Sequence, residues 1–183
     1  MLTMKKAFNE VIPKNASDIF SSISEIWGRN EGNAHIIRQK LSPQLFNVHV
    51  CSMVIDMSQG EGWYEIIANN PQMLKYIPQV MSDFGYSKLG QSVKDLIDLF
   101  PSIATFEYDD LHFAIVNFLE NERRKITDER LSHYTKEERA ELSDKYKNLL
   151  GVLDDLSEEH WGDVSQGKAW DVVLDYISKH FDD

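Results

Sequence analysis

Three stretches of this chain carry apolar side chains at one repeated spacing, and that spacing restricts the fold more than any other feature. Phe46, Val50, Met53, Val54 and Met57 fall at offsets 0, 4, 7, 8 and 11. Met73, Ile77, Val80, Met81 and Phe84 repeat those offsets, and so do Leu89, Val93, Leu96, Ile97 and Phe100. A period near 3.6 gathers each set on one side of an α-helix. No segment alternates apolar and polar residues for long enough to predict a strand. The expected fold is all-α: one domain spanning residues 1–183, a bundle of about six to nine amphipathic helices. It divides into N-terminal helices at 1–41, a core at 42–101 and acidic C-terminal helices at 102–183.

Local signals place the elements. Met4 to Val11 predicts a short helix stopped by Pro13, and Asn15 or Ser17 predicts the cap of a helix with Ile19, Ile23, Ile26 and Trp27 on one face. Ile36, Ile37 and Leu41 predict another short helix. Ser42 followed by Pro43 is a helix start. The helix after it, to about Ser58, also carries Leu45, Val48, Cys51 and Ile55 on its other side. A helix apolar nearly all round belongs at the centre. Gly60 and Gly62 mark a sharp corner before Trp63, which the pattern seats against that central helix; a short helix then runs to Asn69-Asn70-Pro71. Gly85 separates the next two apolar sets, predicting an antiparallel helix pair. Leu111, Ile115, Phe118 and Leu119 form the inner face of a later helix, with Glu107, Asp109 and Asp110 near its start. Thr135 and Glu138 form a capping box opening a long helix with Leu142, Tyr146, Leu149, Leu150 and Leu153 inward, ending between Glu159 and Gly162. Ser165 is expected to start a last helix with Ala169, Val173, Tyr176 and Ile177 inward.

The segment Gly62-Trp63-Tyr64-Glu65-Ile66-Ile67-Ala68-Asn69 resembles the short signature of the bacterial family known as DNA-mimic proteins. The helix pair closing on Leu99-Phe100-Pro101 and the ending Asp175-Tyr176-Ile177-Ser178-Lys179-His180-Phe181 are also similar to that family, over roughly residues 45–181. Relative to the family pattern, Glu61 separates Gly60 from Gly62, Trp63 replaces Phe and Glu65 replaces Gln. The resemblance implies a non-enzymatic acidic decoy, with a homodimer among its forms, that occupies the DNA-binding surface of a regulator or other basic, DNA-binding protein.

Charge is distributed accordingly. Of the 30 acidic and 19 basic residues, 20 acids and ten bases lie from Glu107 onward. An acidic surface repels nucleic acid and anionic membranes and attracts basic partners. From charge alone, plain solubility is the simpler account of such a surface. No apolar run reaches the ~18 residues of a membrane span, and the N-terminus lacks the apolar core of a signal peptide. The single cysteine, Cys51, sits among Val48, Val50 and Met53 and reads as a buried thiol; with no disulfide to form, it fits a cytoplasmic location.

Catalytic motifs and metal frames are absent from the sequence, so no cofactor is expected. His49, on the central helix, reads as a hydrogen-bonded core histidine, and His180 as a cation at a helix end. Glu158, Glu159 and His160 are adjacent and diverge around a helix, which disfavours a metal or acid–base site. Arg123, Arg124, Lys125 and Arg130 are flanked by Glu120, Glu122, Asp128 and Glu129, which predicts internal pairing. The candidate contacts for a partner are the carboxylates of the last two helices. Glu137, Glu141 and Asp144 fall at offsets 0, 4 and 7; Asp154, Asp155, Glu158 and Glu159 lie further along; Asp171 and Asp175, with Asp182, form a second row. Two other functions fit the same chain: an immunity- or antitoxin-type protein neutralising a basic toxin, and an enzyme or small-ligand binder with a pocket lined by Trp63, Tyr64 and a histidine.

Overall fold

The computed structural model describes residues 16–107, 110–162 and 168–180. Among them are ten α-helices and no strand, so the chain is all-α. In chain order these are α1 (Ala16–Arg29), α2 (Ala34–Lys40), α3 (Pro43–Gly60), α4 (Trp63–Asn69), α5 (Pro71–Leu74), α6 (Ile77–Asp83), α7 (Ser87–Ile97), α8 (Asp110–Glu120), α9 (Lys136–Trp161) and α10 (Lys168–His180), with a 3-10 turn at Glu129–Leu131 before α9. The expected helix at Met4 to Val11, the cap at Asn15, the start at Ser165, and Asp109 and Asp182 lie outside the described residues. Ser17 falls inside α1 and is not its cap.

Helix α3 is the axis of the bundle. Ser42 Oγ accepts the Leu45 amide at 3.3 Å and Pro43 occupies the first turn, where a missing N–H costs nothing. Every residue from Leu45 to Ile55 except Asn47 is buried. No single face of α3 is left for solvent, and α1, α2, α4, α6, α9 and α10 all pack on it. Cys51 lies fully buried there, and burial pushes its thiol pKa up, which keeps it protonated and unreactive.

The apolar row from Met73 to Phe84 is buried as its spacing predicts, but not on one continuous helix. The chain breaks between Leu74 and Ile77 into α5 and α6. Pro78 explains the break: it has no N–H for the Leu74 carbonyl, and its ring crowds that position. The α6–α7 pair packs closely around the Gly85 turn, where φ is +87°. Gly90 makes the close approach possible, since a Cβ there would stand 2.5 Å from the Pro78 carbonyl oxygen.

The capping box of α9 is complete: Thr135 Oγ1 accepts the Glu138 amide and the Glu138 carboxylate accepts the Thr135 amide. The inner face of α9 differs from the expected one. Its buried residues are Arg139, Ser143, Tyr146, Leu153, Ser157 and Trp161, whereas Leu142, Leu149 and Leu150 are half-buried at its flanks. The polar members of that row explain the shift, because each has work in the interior. Arg139 donates to the backbone carbonyls of Phe118 at 3.2 Å, Asn121 at 2.8 Å and Arg124, closing the C-terminus of α8. Ser157 Oγ accepts the Trp63 indole N–H at 2.8 Å.

Candidate partner-binding site

The nine candidate carboxylates are all exposed. On α9 their placement follows from the buried row. Glu137, Glu141, Asp144, Asp155 and Glu159 each stand two residues before a buried residue: Arg139, Ser143, Tyr146, Ser157 and Trp161. Two residues turn an α-helix by ~200°, so the five carboxylates share the face opposite the core. From Glu137 to Glu159 that ridge spans ~33 Å at ~1.5 Å per residue. The neutral Asn148 and Gly151 interrupt it, leaving an acidic patch at each end. The same rule holds on α10, where Asp171 and Asp175 precede the buried Val173 and Ile177 by two. Since α10 docks mainly on α3, these two form a separate, shorter row.

Among the described residues, Glu141 alone of the nine has an ion-pair partner, Lys145 at 2.6 Å. Both side chains are mostly exposed, and such a pair contributes little. Glu158 lies to the side of the ridge. Asp154 lies further round and meets the N-terminus of α4. Burial and the neighbouring Asp155 push its carboxyl pKa up, while the Trp63 backbone N–H opposes that shift. Asp154 therefore serves the Gly62–Trp63 corner. Gly62 takes φ +83° there, and Trp63 behind it is 1% exposed.

Three of the four residues of the basic cluster pair with the acids that flank them, Arg123 with Glu122 at 3.6 Å, Arg124 with Glu120 at 3.5 Å and Arg130 with Asp128 at 2.6 Å, whereas Lys125 forms no ion pair among the described residues. His160 packs on the Tyr86 ring, and its neighbours Glu158 and Glu159 face solvent. His180 sits in the last turn of α10 over Tyr176. Among the described residues, no three His, Cys, Asp or Glu side chains are grouped to hold a metal ion.

His49 departs from its expected hydrogen-bonded state. It is buried, neither ring nitrogen has a hydrogen-bond partner among the described residues, and it stacks on Trp27 at 5.9 Å. Its neighbours one turn away on α3, Leu45, Phe46 and Met53, are apolar, and the buried Ser52 hydroxyl is likewise without a partner among the described residues. Burial lowers its pKa from 6.5 to about 4. The unfolded chain takes up this proton near pH 6.5 and the folded one only near pH 4, so stability present above pH 6.5 is lost between those values. His49→Phe is expected to remove about 3 kcal/mol of the acid-induced loss over that window. Urea midpoints at several pH values check this; parallel profiles for the two proteins would refute it.

Two features were invisible in the sequence. His35 Nε2 lies 3.1 Å from both Glu107 carboxylate oxygens while its Nδ1 lies 3.3 Å from the Tyr76 hydroxyl, tying α2 to two distant segments. A cleft of about 500 Å³ opens between the α1–α2 turn and the α4–α5 corner, and another of about 360 Å³ lies beside Phe113 on α8. Neither is lined by Trp63 or Tyr64, so the pocket that a small-ligand function was expected to place there is not among these clefts. Compared with known protein families, curated proteins and solved structures, the chain matches none of them.

Proposed function

We propose that this chain is a non-enzymatic acidic interaction protein whose α9 ridge engages a basic, DNA-binding protein in place of DNA. The observation that carries this reading is the set of carboxylates standing opposite the buried row of α9. At ~33 Å the ridge is about as long as one turn of a DNA duplex, the distance over which such proteins space their contacts. Its carboxylates step by ~6 Å or less within each patch, compared with ~3.4 Å between phosphates along a strand. Arginine and lysine side chains that grip phosphate pair as readily with carboxylate. The residues assigned to the contact are Glu137, Glu141, Asp144, Asp155, Glu158 and Glu159, with Asp171 and Asp175 as a second row and Asp154 shared with the fold.

Such contacts weaken steeply with salt, because they replace counterions on the partner. The test compares the wild-type protein with Glu137→Gln/Glu141→Gln/Asp155→Asn/Glu159→Gln as immobilised bait. Wild type should retain DNA-binding proteins at about 50 mM salt, release them at about 200 mM, and lose them to added duplex DNA. Retention of the same proteins by the neutralised bait, or indifference to duplex DNA, would overturn the reading.

A further inference from the structure

We propose that the cleft between the α1–α2 turn and the α4–α5 corner captures an arginine side chain presented by a peptide. This inference does not rest on the α9 ridge. It rests on which polar atoms around the cleft are already used and which are left. Asn33 Oδ1 caps α2 by accepting the His35 and Ile36 amides, each at 3.0 Å. Gln72 Oε1 accepts the Ala34 amide at 3.2 Å, which leaves its Nε2 as a donor. Asn69 Nδ2 donates to Glu65, leaving Oδ1 as an acceptor.

Asn70 is the most telling residue. It is 8% exposed, and its Nδ2 is directed at the Met57 sulfur at 3.4 Å. No hydrogen bond to its Oδ1 is formed among the described residues, and Asn70 lines the cleft. An amide oxygen held in so buried a side chain, without an internal partner, is a preorganised acceptor. Glu31 supplies charge at the rim. It adopts φ +53°, a conformation non-glycine residues rarely take. The turn that imposes it is firmly held: Gly32 N donates to the Trp27 carbonyl at 3.0 Å, and Gly32 lies so close to the Trp27 ring that an added Cβ would stand 2.9 Å from it. No ion pair involving Glu31 is formed among the described residues.

The unused side-chain set is therefore three acceptors, one of them charged, and two donors, Gln72 Nε2 and Asn33 Nδ2, between the apolar walls of Pro71 and Met73. The Glu31 carboxylate at the rim favours a cation over an anion. A guanidinium matches the set: a planar cation with five donors and weak hydration, suited to apolar walls. The donors Gln72 Nε2 and Asn33 Nδ2 suit the backbone carbonyls that flank the same arginine. The indole of Trp27 adds an edge rather than a cation-binding face, because Gly32 covers one side and His49 stacks on the ring.

The test is a titration of the isotopically labelled full chain with Nα-acetyl-arginine methylamide, followed by backbone and side-chain amide resonances at about 150 mM salt, where loose charge attraction is screened. Saturable shifts are expected at Gly32, Asn69, Asn70 and Gln72. The lysine analogue, and the citrulline analogue, which keeps the shape but not the charge, should bind at least about tenfold more weakly. Glu31→Gln and Asn70→Ser should each cost a similar factor, with the rest of their spectra unchanged as proof of folding. The neutralised α9 variant should bind like wild type, which separates this cleft from the ridge. Absence of saturation, equal binding of the lysine analogue, full affinity in Glu31→Gln, or loss of binding in the α9 variant would each overturn the proposal.

Discussion

Arg139→Met is expected to lower the unfolding free energy by about 4 kcal/mol, seen as a large drop in urea midpoint with little change in slope. Arg139 is 5% exposed and directs its guanidinium at the Phe118, Asn121 and Arg124 carbonyls, the end of α8 and the loop that follows it. The last carbonyls of a helix lack partners within it, and a cation there also answers the negative end of its dipole. Methionine fills much of the same volume, so the loss reports the polar contacts of the guanidinium and not a cavity. Each buried carbonyl left without a donor costs ~1–3 kcal/mol, and there are three. The Phe118 ring, 5.0 Å from the guanidinium, loses a cation–π contact as well. Arg139→Lys retains the charge but not the fork, so it should fall between the two. A loss below about 1 kcal/mol in Arg139→Met would mean that water replaces the guanidinium without penalty.

Arg139 also marks where sequence reading succeeds and where it stops. The central helix was legible because its apolar residues cover every side, and the starts of α3 and α9 because Ser42-Pro43 and Thr135…Glu138 satisfy backbone amides by purely local bonds. The interior face of α9 was not, because ranking by hydrophobicity selects Leu142, Leu149 and Leu150 over Arg139, Ser143 and Ser157. Those three are interior for reasons supplied by partners 21, 23 and 94 residues away in the chain. The outward acids suffered the same uncertainty. Glu137, Glu141 and Asp144 were readable as one face, but their continuation into Asp155 and Glu159 becomes plain once the buried row is known. The break at Pro78 did have a signal, a proline within a helical pattern, and the strong apolar period obscured it. The arginine cleft had none, since Glu31 and Asn70 meet only through tertiary folding.

Trp63→Ala is expected to cost about 4 kcal/mol, and its effect should reach the acidic ridge. The indole is 1% exposed, so truncation opens a cavity that the packed helices around it only partly close. It also removes the donor to Ser157 Oγ, a buried hydroxyl on the inner face of α9. The Gly62 corner sets the direction of the ring, and Asp154 meets the backbone N–H behind it, so one residue fixes α4 to the C-terminal half of α9 from two sides. Trp63→Phe refills most of the volume without the N–H and should cost about 1–2 kcal/mol, separating the bond from the packing. Hydrogen exchange provides the second readout. In Trp63→Ala the amides from Leu153 to Trp161 should lose more protection than those from Arg139 to Tyr146, which are held by the Arg139 contacts. Because Asp155 and Glu159 stand opposite Ser157 and Trp161, loosening that end of α9 disperses the carboxylates on its far side. Equal loss of protection along the whole helix would show that the corner stabilises the bundle without fixing the ridge.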